Sequence, residues 1–197
     1  MSEKPISTLQ SRVDSIRHLL GQNDKYIVPE FSRPYMWNAA QAKQLWDDIL
    51  NAFIDQQDFY FWGAFIINRG GFQQENTSVI YLFDGQQRLT TITLLLTAIR
   101  DYALKIGDEN FADYVNGRCL IRRSILGSSS LQTRLTLTKA DQTTYHAIVL
   151  HENTSLLEKD KSLLKVFNLL SKQVLALIEN TPSSSDTTSK LYGSCSE

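Results

Sequence analysis

Residues 84–91 read DGQQRLTT, a run whose side chains could together bind a phosphate group and a divalent metal ion. The surrounding pattern places them where a strand gives way to a helix, and a helix N-terminus offers unpaired N–H groups and positive dipole charge to an anion. Gly85 would let a phosphate approach the backbone. Arg88 could hold phosphate oxygens in a planar fork, and Asp84 could hold Mg²⁺ directly or through water.

The same run also has a purely structural interpretation. Gln86 or Gln87 could orient a water molecule or contact a base edge, and Thr91 adds a hydroxyl one turn further on. However, Asp84-x-x-Gln87 is itself a capping box, and Asp84 and Arg88 are four residues apart and could simply pair. Spacing alone leaves both interpretations open.

Residues 29–37, PEFSRPYMW, form a second candidate element. Two prolines stiffen this segment and bias the residues before them away from helix. It would present Arg33 to a phosphate while Phe31, Tyr35 and Trp37 stack on bases or line a pocket. The alternative is a loop packed by its own aromatic rings, with Arg33 stacked on one of them.

The chain contains one distinctly basic region. Its formal net charge is −1, so contact with a polyanion would need a local patch. Between residues 114 and 140 there are five basic residues and no acidic ones: Arg118, Arg122, Arg123, Arg134 and Lys139. This region could face DNA phosphates, or it could be a solvated face that offsets acidic neighbours.

Hydrophobic periodicity predicts an α+β fold with a small sheet and a majority of helix. Four pairs of residues at capping-box spacing predict helix starts. The pairs are Ser7 and Gln10, Asn38 and Gln41, Thr138 and Asp141, and Ser155 and Glu158. The predicted elements in chain order are a helix over about 8–20, an extended segment at 26–29, a helix from 38, strands 59–67 and 78–83 joined by a turn at 68–76, a helix over about 86–104, a strand at 134–138, a helix to 150 and a final helix.

Length and composition suit one globular domain. The chain has 197 residues, of which 42% are hydrophobic and 21% charged, so a substantial core can form over residues 1–180. Residues 181–197 include nine serines and threonines and are expected to be a linker or disordered tail. The two cysteines lack paired spacing, and no signal peptide or membrane-length apolar run is present. A cytoplasmic protein without a membrane partner is therefore expected.

The two motifs together resemble a known family. Residues 28–37, VPEFSRPYMW, followed by a strand and DGQQRLTT at 84–91, are similar to the N-terminal domain of GmrSD-type, modification-dependent restriction enzymes. Phe61, Trp62 and Gly63 resemble the aromatic-x-Gly strand of that family, and the resemblance covers about residues 8–180.

The resemblance implies a ParB/sulfiredoxin-like fold, a small sheet flanked by helices. It also implies Mg²⁺-dependent binding and hydrolysis of a nucleoside triphosphate, in an anti-phage system that senses modified DNA. The catalytic residues would be Asp84, Gln86, Gln87 and Arg88, with Asp84 on the metal. The nucleotide would contact Arg33, Tyr35, Gly85, Arg88 and Thr91. Apart from the resemblance, the arginine loop and the basic region predict DNA contacts at Phe31, Ser32, Arg118, Arg122 and Arg123.

This chain departs from the family pattern in two ways. Ser32 stands where the family usually has glutamine, which puts any water-orienting or DNA-reading function of that position in doubt. The three histidines are scattered and form no HNH-like cluster, so a nuclease domain or subunit outside this chain is expected. The alternatives to an NTP-hydrolysing regulatory domain are a DNA- or nucleotide-binding module without turnover and an interaction fragment built on the long helices.

Overall fold

The structure is a computed structural model that describes residues 10–21, 24–74, 77–123, 131–152 and 162–180, with only the backbone for 70–74, 77, 78 and 123. It is helix-rich and α+β, as predicted. The elements in chain order are α1 Ile16–Gly21, β1 Lys25–Ile27, α2 Ala39–Ile54, β2 Ile66–Gln74, β3 Thr77–Asp84, α3 Gln86–Lys105, α4 Glu109–Val115, a π-helical turn Asn116–Leu120, β4 Ile121–Arg123, β5 Leu131–Thr133, β6 Leu135–Thr136, α5 Lys139–Val149 and α6 Ser162–Glu179.

The main sheet has four strands in the order β2-β3-β1-β6. Strand β1 runs parallel to both β3 and β6, with Tyr26 opposite Ile80 on one side and Leu135 on the other. Strand β2 pairs antiparallel with β3, which confirms the predicted hairpin. The carboxyl ends of β1, β3 and β6 therefore meet at one edge of the sheet. Strands β4 and β5 form a separate antiparallel ribbon.

Helix α3 is the centre of the core. Its apolar residues pack with the inward side chains of the sheet, among which Tyr26, Ile80 and Leu82 are almost completely buried. The helix also contacts α6 and α4. Its threonines are buried as well, and the hydroxyls of Thr91, Thr93 and Thr97 donate to helix carbonyls, as Thr97 Oγ1 does to Thr93 at 2.7 Å. Such bonds satisfy hydroxyls that would otherwise be buried without a partner.

The first helix is shorter than predicted. Residues 10–15 are not helical, and α1 begins where Ser15 Oγ accepts a bond from the His18 amide at 3.0 Å. The predicted cap at Ser7 lies outside the described residues. Val13, expected on the apolar face, is fully exposed, so no packing holds the preceding residues in a helix.

The predicted strand over 59–67 was also wrong for most of its length. Strand β2 begins only at Ile66 and continues to Gln74, through residues expected to be a turn. Gly63 has a φ of +90°, which interrupts an extended chain, and Phe59 and Phe61 are exposed. Aromatic composition predicted a strand here, but the segment lacks both the backbone angles and the burial that strands need.

The remaining elements follow the predictions closely. Asn38 and Gln41 form the expected capping box, and α3 has nearly the predicted length. Helix α5 follows Thr138, while the cap predicted before α6 lies outside the described residues, as do residues 181–197. Of the strand predicted at 134–138, only β6 at Leu135–Thr136 forms, and β5 precedes the predicted range. Arg134, between β5 and β6, is buried and donates to the carbonyl of Gly117 at 2.8 Å. Among the described helices, none is both long and apolar enough to span a bilayer.

Candidate functional site

A small cleft, partly open to solvent and with a cavity volume of about 10 Å³, lies at the shared carboxyl edge of β1, β3 and β6. Ligands of open α/β sheets bind at this edge. The polar side chains that line the cleft are Arg33, Tyr35, Gln86, Gln87, Thr90, Thr138 and Asp141. They come from the arginine loop (residues 29–37) and from the first turns of α3 and α5. The enclosed space is far smaller than a typical cofactor pocket and holds about one water molecule, so a larger ligand would lie mostly on the open side.

Helix α3 begins without a side-chain cap. Its N-cap residue is Gly85, which has a φ of +89° and makes no capping bond, so the alternative capping box of Asp84 with Gln87 is absent. Helix α5 likewise has Thr138 as N-cap without a side-chain capping bond. The first turns of both helices line the cleft, so positive helix-terminal charge from two directions acts on it.

Gln87 attaches the arginine loop to α3. Its side chain is buried, and its Oε1 accepts bonds from the backbone amides of Met36 at 2.7 Å and Trp37 at 3.3 Å. Its Nε2 donates to the carbonyl of Pro34 at 3.0 Å. Both halves of the amide group are therefore used, and Gln87 acts here as a positioning residue.

Tyr35 attaches the same loop at two further points. Its hydroxyl shares a 2.7 Å bond with Thr91 Oγ1, and its backbone amide donates to Asp141 Oδ2 at 2.6 Å. Burial raises the pKa of Tyr35 well above the usual 10.0, so the phenol stays neutral at physiological pH. Arg33 is exposed at the cleft, and the described part of the chain supplies it with no ion pair, hydrogen bond or stacked ring. Its charge is thus available to a ligand.

Arg88 faces away from the cleft. Its Nη1 donates to the carbonyl of Trp62 at 2.6 Å and its Nη2 to that of Ala64 at 2.8 Å, and the guanidinium lies 5.2 Å from the centre of the Phe65 ring. Gly63 makes room for it, since any β-carbon at Gly63 would overlap the guanidinium. Arg88 therefore holds the segment before β2 against the start of α3.

Asp84 is exposed at the end of β3 and does not line the cleft. It forms no ion pair with Arg88, so the simple pairing considered from their spacing is not observed in the described structure. The fold thus brings Arg33, Gln86 and Gln87 together and leaves Asp84 and Arg88 outside the group.

Two oxygen atoms at the cleft lack hydrogen-bond partners within the described ranges. They are Gln86 Oε1 and Thr138 Oγ1. Both residues are buried, Gln86 with 8% and Thr138 with 5% of its surface exposed. Asp141, which the sequence analysis used only as a helix-start signal, contributes the carboxylate that lines the cleft. The pattern Thr138-x-x-Asp141 marks a helix start, but no local signal reveals that this start meets the arginine loop.

The residues predicted to contact DNA lie in two places. Phe31 is exposed on the arginine loop and stacks on Phe83 at 6.1 Å between ring centres, while the Ser32 amide closes a turn onto the Pro29 carbonyl. Neither Phe31 nor Ser32 lines the cleft. The basic residues lie at the other end of the parallel strands.

Four cations gather at that end: Lys25, Arg118, Arg122 and Arg134, here called the basic cluster. Lys25 opens β1 and Arg134 precedes β6, so the cluster lies at the edge opposite the cleft. Burial, then the charge of Arg122, lowers the pKa of Lys25. Burial is also the main cause of the lowered pKa of Arg134, to which Arg122 and Arg118 contribute. The predicted Arg123 belongs to β4, and its side chain is outside the description.

The backbone at Gly85 gives a direct test of this geometry. Gly85→Ala is expected to cost about 2 to 4 kcal/mol, because alanine resists a positive φ and its methyl group would overlap the Phe65 ring. Gly107→Ala is the control: its φ is +80°, but nothing lies within 4 Å of the added carbon, so only about 1 kcal/mol is expected. Urea unfolding measures both, and equal losses would contradict the proposed contact.

Comparison with known proteins identifies the chain. A family model described as GmrSD restriction endonuclease, N-terminal domain, matches residues 16–193, which confirms the resemblance of the two motifs. No curated protein matches the chain. The chain therefore belongs to the family of GmrSD restriction endonuclease N-terminal domains, which links it to a restriction system.

Proposed function

We propose that this domain binds a nucleoside triphosphate in the cleft and hydrolyses it to regulate DNA cleavage by a nuclease domain or subunit elsewhere. The observation that carries the proposal is the convergence of Arg33 with the first turns of α3 and α5, of which the start of α3 lacks a side-chain cap. A guanidinium and helix N-termini are the groups that proteins use for phosphate oxygens. Family membership adds a restriction context.

In this proposal the residues divide into two kinds. Arg33 and the first turn of α3 bind the phosphates, and Gln86 presents to the nucleotide–Mg²⁺ complex an amide oxygen that has no partner in the described structure. Gln87, Tyr35, Thr91 and Arg88 position these groups through the bonds described above. Mg²⁺ bound with the nucleotide would neutralise phosphate charge. The available carboxylates are Asp84 beside the cleft and Asp141 within it.

A thermal-shift panel tests the binding step. With ATP, GTP, CTP and UTP at about 100 times Kd and Mg²⁺ present, the preferred nucleotide should stabilise the domain by about 2.7 kcal/mol. Arg33→Ala should remove most of this shift, because a hydrogen bond to a charged group contributes about 1.5 to 3 kcal/mol. Arg118→Ala, at the opposite edge of the sheet, is the control and should keep the shift.

Release of inorganic phosphate separates hydrolysis from binding. Turnover by the wild type that is lost in Arg33→Ala supports the hydrolase. A shift without phosphate release would instead support the binding module without turnover. The absence of a shift with any of the four nucleotides would contradict both forms of the proposal.

The basic cluster supports a second candidate function, binding of DNA phosphates. Cations held close together repel each other. Burial is the main cause of the lowered pKa of Lys25, and repulsion from Arg122 lowers it further. A polyanion would relieve this repulsion, and its release of counterions makes the affinity depend on salt. Arg118→Ala should weaken duplex DNA binding and reduce the slope of log K against log salt by about 1. Arg33→Ala should leave that slope unchanged, and unchanged binding in Arg118→Ala would count against this site.

A further inference from the structure

Asp141 occupies a position in the cleft that no motif assigned to chemistry. Its side chain is nine-tenths buried, and it is the carboxylate among the residues that line the cleft. Its Oδ2 accepts the 2.6 Å bond from the Tyr35 amide, while no described group bonds to Oδ1. One carboxylate oxygen is therefore held in place and the other remains available.

Two neutral oxygens accompany this carboxylate. A Thr-x-x-Asp sequence at a helix start normally caps it, the hydroxyl accepting from the backbone amide of the aspartate. Here that amide bonds to the carbonyl of Thr138 instead, and Thr138 Oγ1 has no partner among the described groups. Gln86 Oε1, from the first turn of α3, is also buried and has no hydrogen-bond partner among the described groups. A buried oxygen without a partner is destabilising, so a ligand that binds it is favoured.

Carboxylate, amide and hydroxyl oxygens are ligands that hard divalent cations prefer. These three groups carry only one negative charge, and Mg²⁺ usually binds through one or two carboxylates together with substrate phosphates. Arg33 and the helix starts on the same cleft provide the phosphate side of such a complex. Asp84, the metal ligand expected from the motif, is exposed and outside the lining.

We infer that Asp141, with Gln86 Oε1 and Thr138 Oγ1, forms the divalent cation site of the cleft, and that Asp84 does not. The inference rests on the proposed nucleotide site, since the cation is bound together with the phosphates. Glu30, the other acidic side chain close to this helix start, accepts bonds from the Lys139 amide at 3.2 and 3.3 Å and is exposed, so it caps α5 from outside.

The test measures nucleotide affinity in Mg²⁺ and in EDTA for the wild type, Asp141→Asn and Asp84→Asn. Asparagine at position 141 keeps an oxygen for the Tyr35 amide, so the arginine loop stays attached, which the melting temperature checks. We expect Mg²⁺ to raise wild-type affinity about tenfold or more, a gain that Asp141→Asn loses and Asp84→Asn retains. In EDTA, Asp84→Asn should bind as the wild type does, and Asp141→Asn should bind no more weakly, because it removes a negative charge beside the phosphates.

Two outcomes would overturn the cation site while leaving the nucleotide site intact: Mg²⁺ dependence lost in Asp84→Asn but kept in Asp141→Asn, or no Mg²⁺ dependence in the wild type. If the wild type binds none of the four nucleotides, the proposed function fails, and Mn²⁺ alone tests the cation site by electron paramagnetic resonance. Saturable Mn²⁺ binding that Asp141→Asn removes would then support the site. No Mn²⁺ binding would reject it.

Discussion

Replacing Arg100 with methionine is expected to lower the free energy of unfolding by about 3 to 5 kcal/mol, the cost of breaking a buried charged network from one side. Arg100 lies on α3 and is only 2% exposed. Its Nη1 donates to the Val149 carbonyl at 2.7 Å and to Asn116 Oδ1 at 2.8 Å, and its Nε donates to Asp101 Oδ1 at 2.8 Å. Methionine fills much of the volume but satisfies none of these acceptors.

The Arg100 network joins three parts of the core. Asn116 opens the π-helical turn and Val149 ends α5, so a single side chain connects both to the central helix. Lys105→Met is the matched control, since it removes the same charge from an exposed position of the same helix and should change stability by less than about 0.5 kcal/mol. Urea unfolding measures the free energy of unfolding of both variants, provided that its dependence on urea concentration is the same in each. A loss under 1 kcal/mol for Arg100→Met would show that the network contributes little to stability.

Local sequence signals predicted the elements that depend on local interactions. The capping box of Asn38 and Gln41 forms because both partners lie within one turn of helix. The length of α3 follows from an apolar run without a breaker, and the motif at 84–91 does lie where β3 meets α3. The place of the site in the chain was therefore predictable from the sequence.

Which residues of the motif line the cleft and which hold neighbouring segments was not predictable, because this depends on contacts between residues far apart in sequence. Gln87 bonds to a loop about fifty residues earlier, and Asp141 reaches Tyr35 across 106 positions. Arg88, expected on a phosphate, is held by the carbonyls of Trp62 and Ala64. Trp62 and Ala64 belong to the segment that was wrongly predicted as a strand, so the errors in the strand and in Arg88 concern the same contacts.

Replacing Gln87 with leucine is expected to weaken nucleotide binding by about 100-fold and to lower stability by about 2 to 4 kcal/mol. The substitution removes three hydrogen bonds, to the amides of Met36 and Trp37 and to the carbonyl of Pro34, at about 0.5 to 1.5 kcal/mol for each bond. The arginine loop would then lose its attachment to α3, so Arg33 would no longer be held at the cleft. Calorimetric titration and urea unfolding give the two quantities.

Arg33→Ala separates binding from positioning. Arg33 is exposed and makes no bond to the described residues, so its removal should weaken nucleotide binding while changing stability by less than about 0.5 kcal/mol. If Gln87→Leu lowers both nucleotide affinity and stability while Arg33→Ala lowers affinity alone, Gln87 is a positioning residue and Arg33 binds the nucleotide. If Gln87→Leu lost binding with no change in stability, Gln87 would be a direct ligand of the nucleotide.

Gln87→Glu provides a finer test of the positioning role. A protonated glutamic acid has the shape of glutamine, and its O–H can donate to the Pro34 carbonyl as the amide does. The ionised form cannot donate, and its charge is disfavoured by burial, which raises the pKa of a carboxyl group. Nucleotide affinity of this variant, relative to the wild type, should therefore recover as the pH falls from about 8 to 5. A ratio that does not change with pH would contradict the donation to Pro34, because only that bond requires the proton.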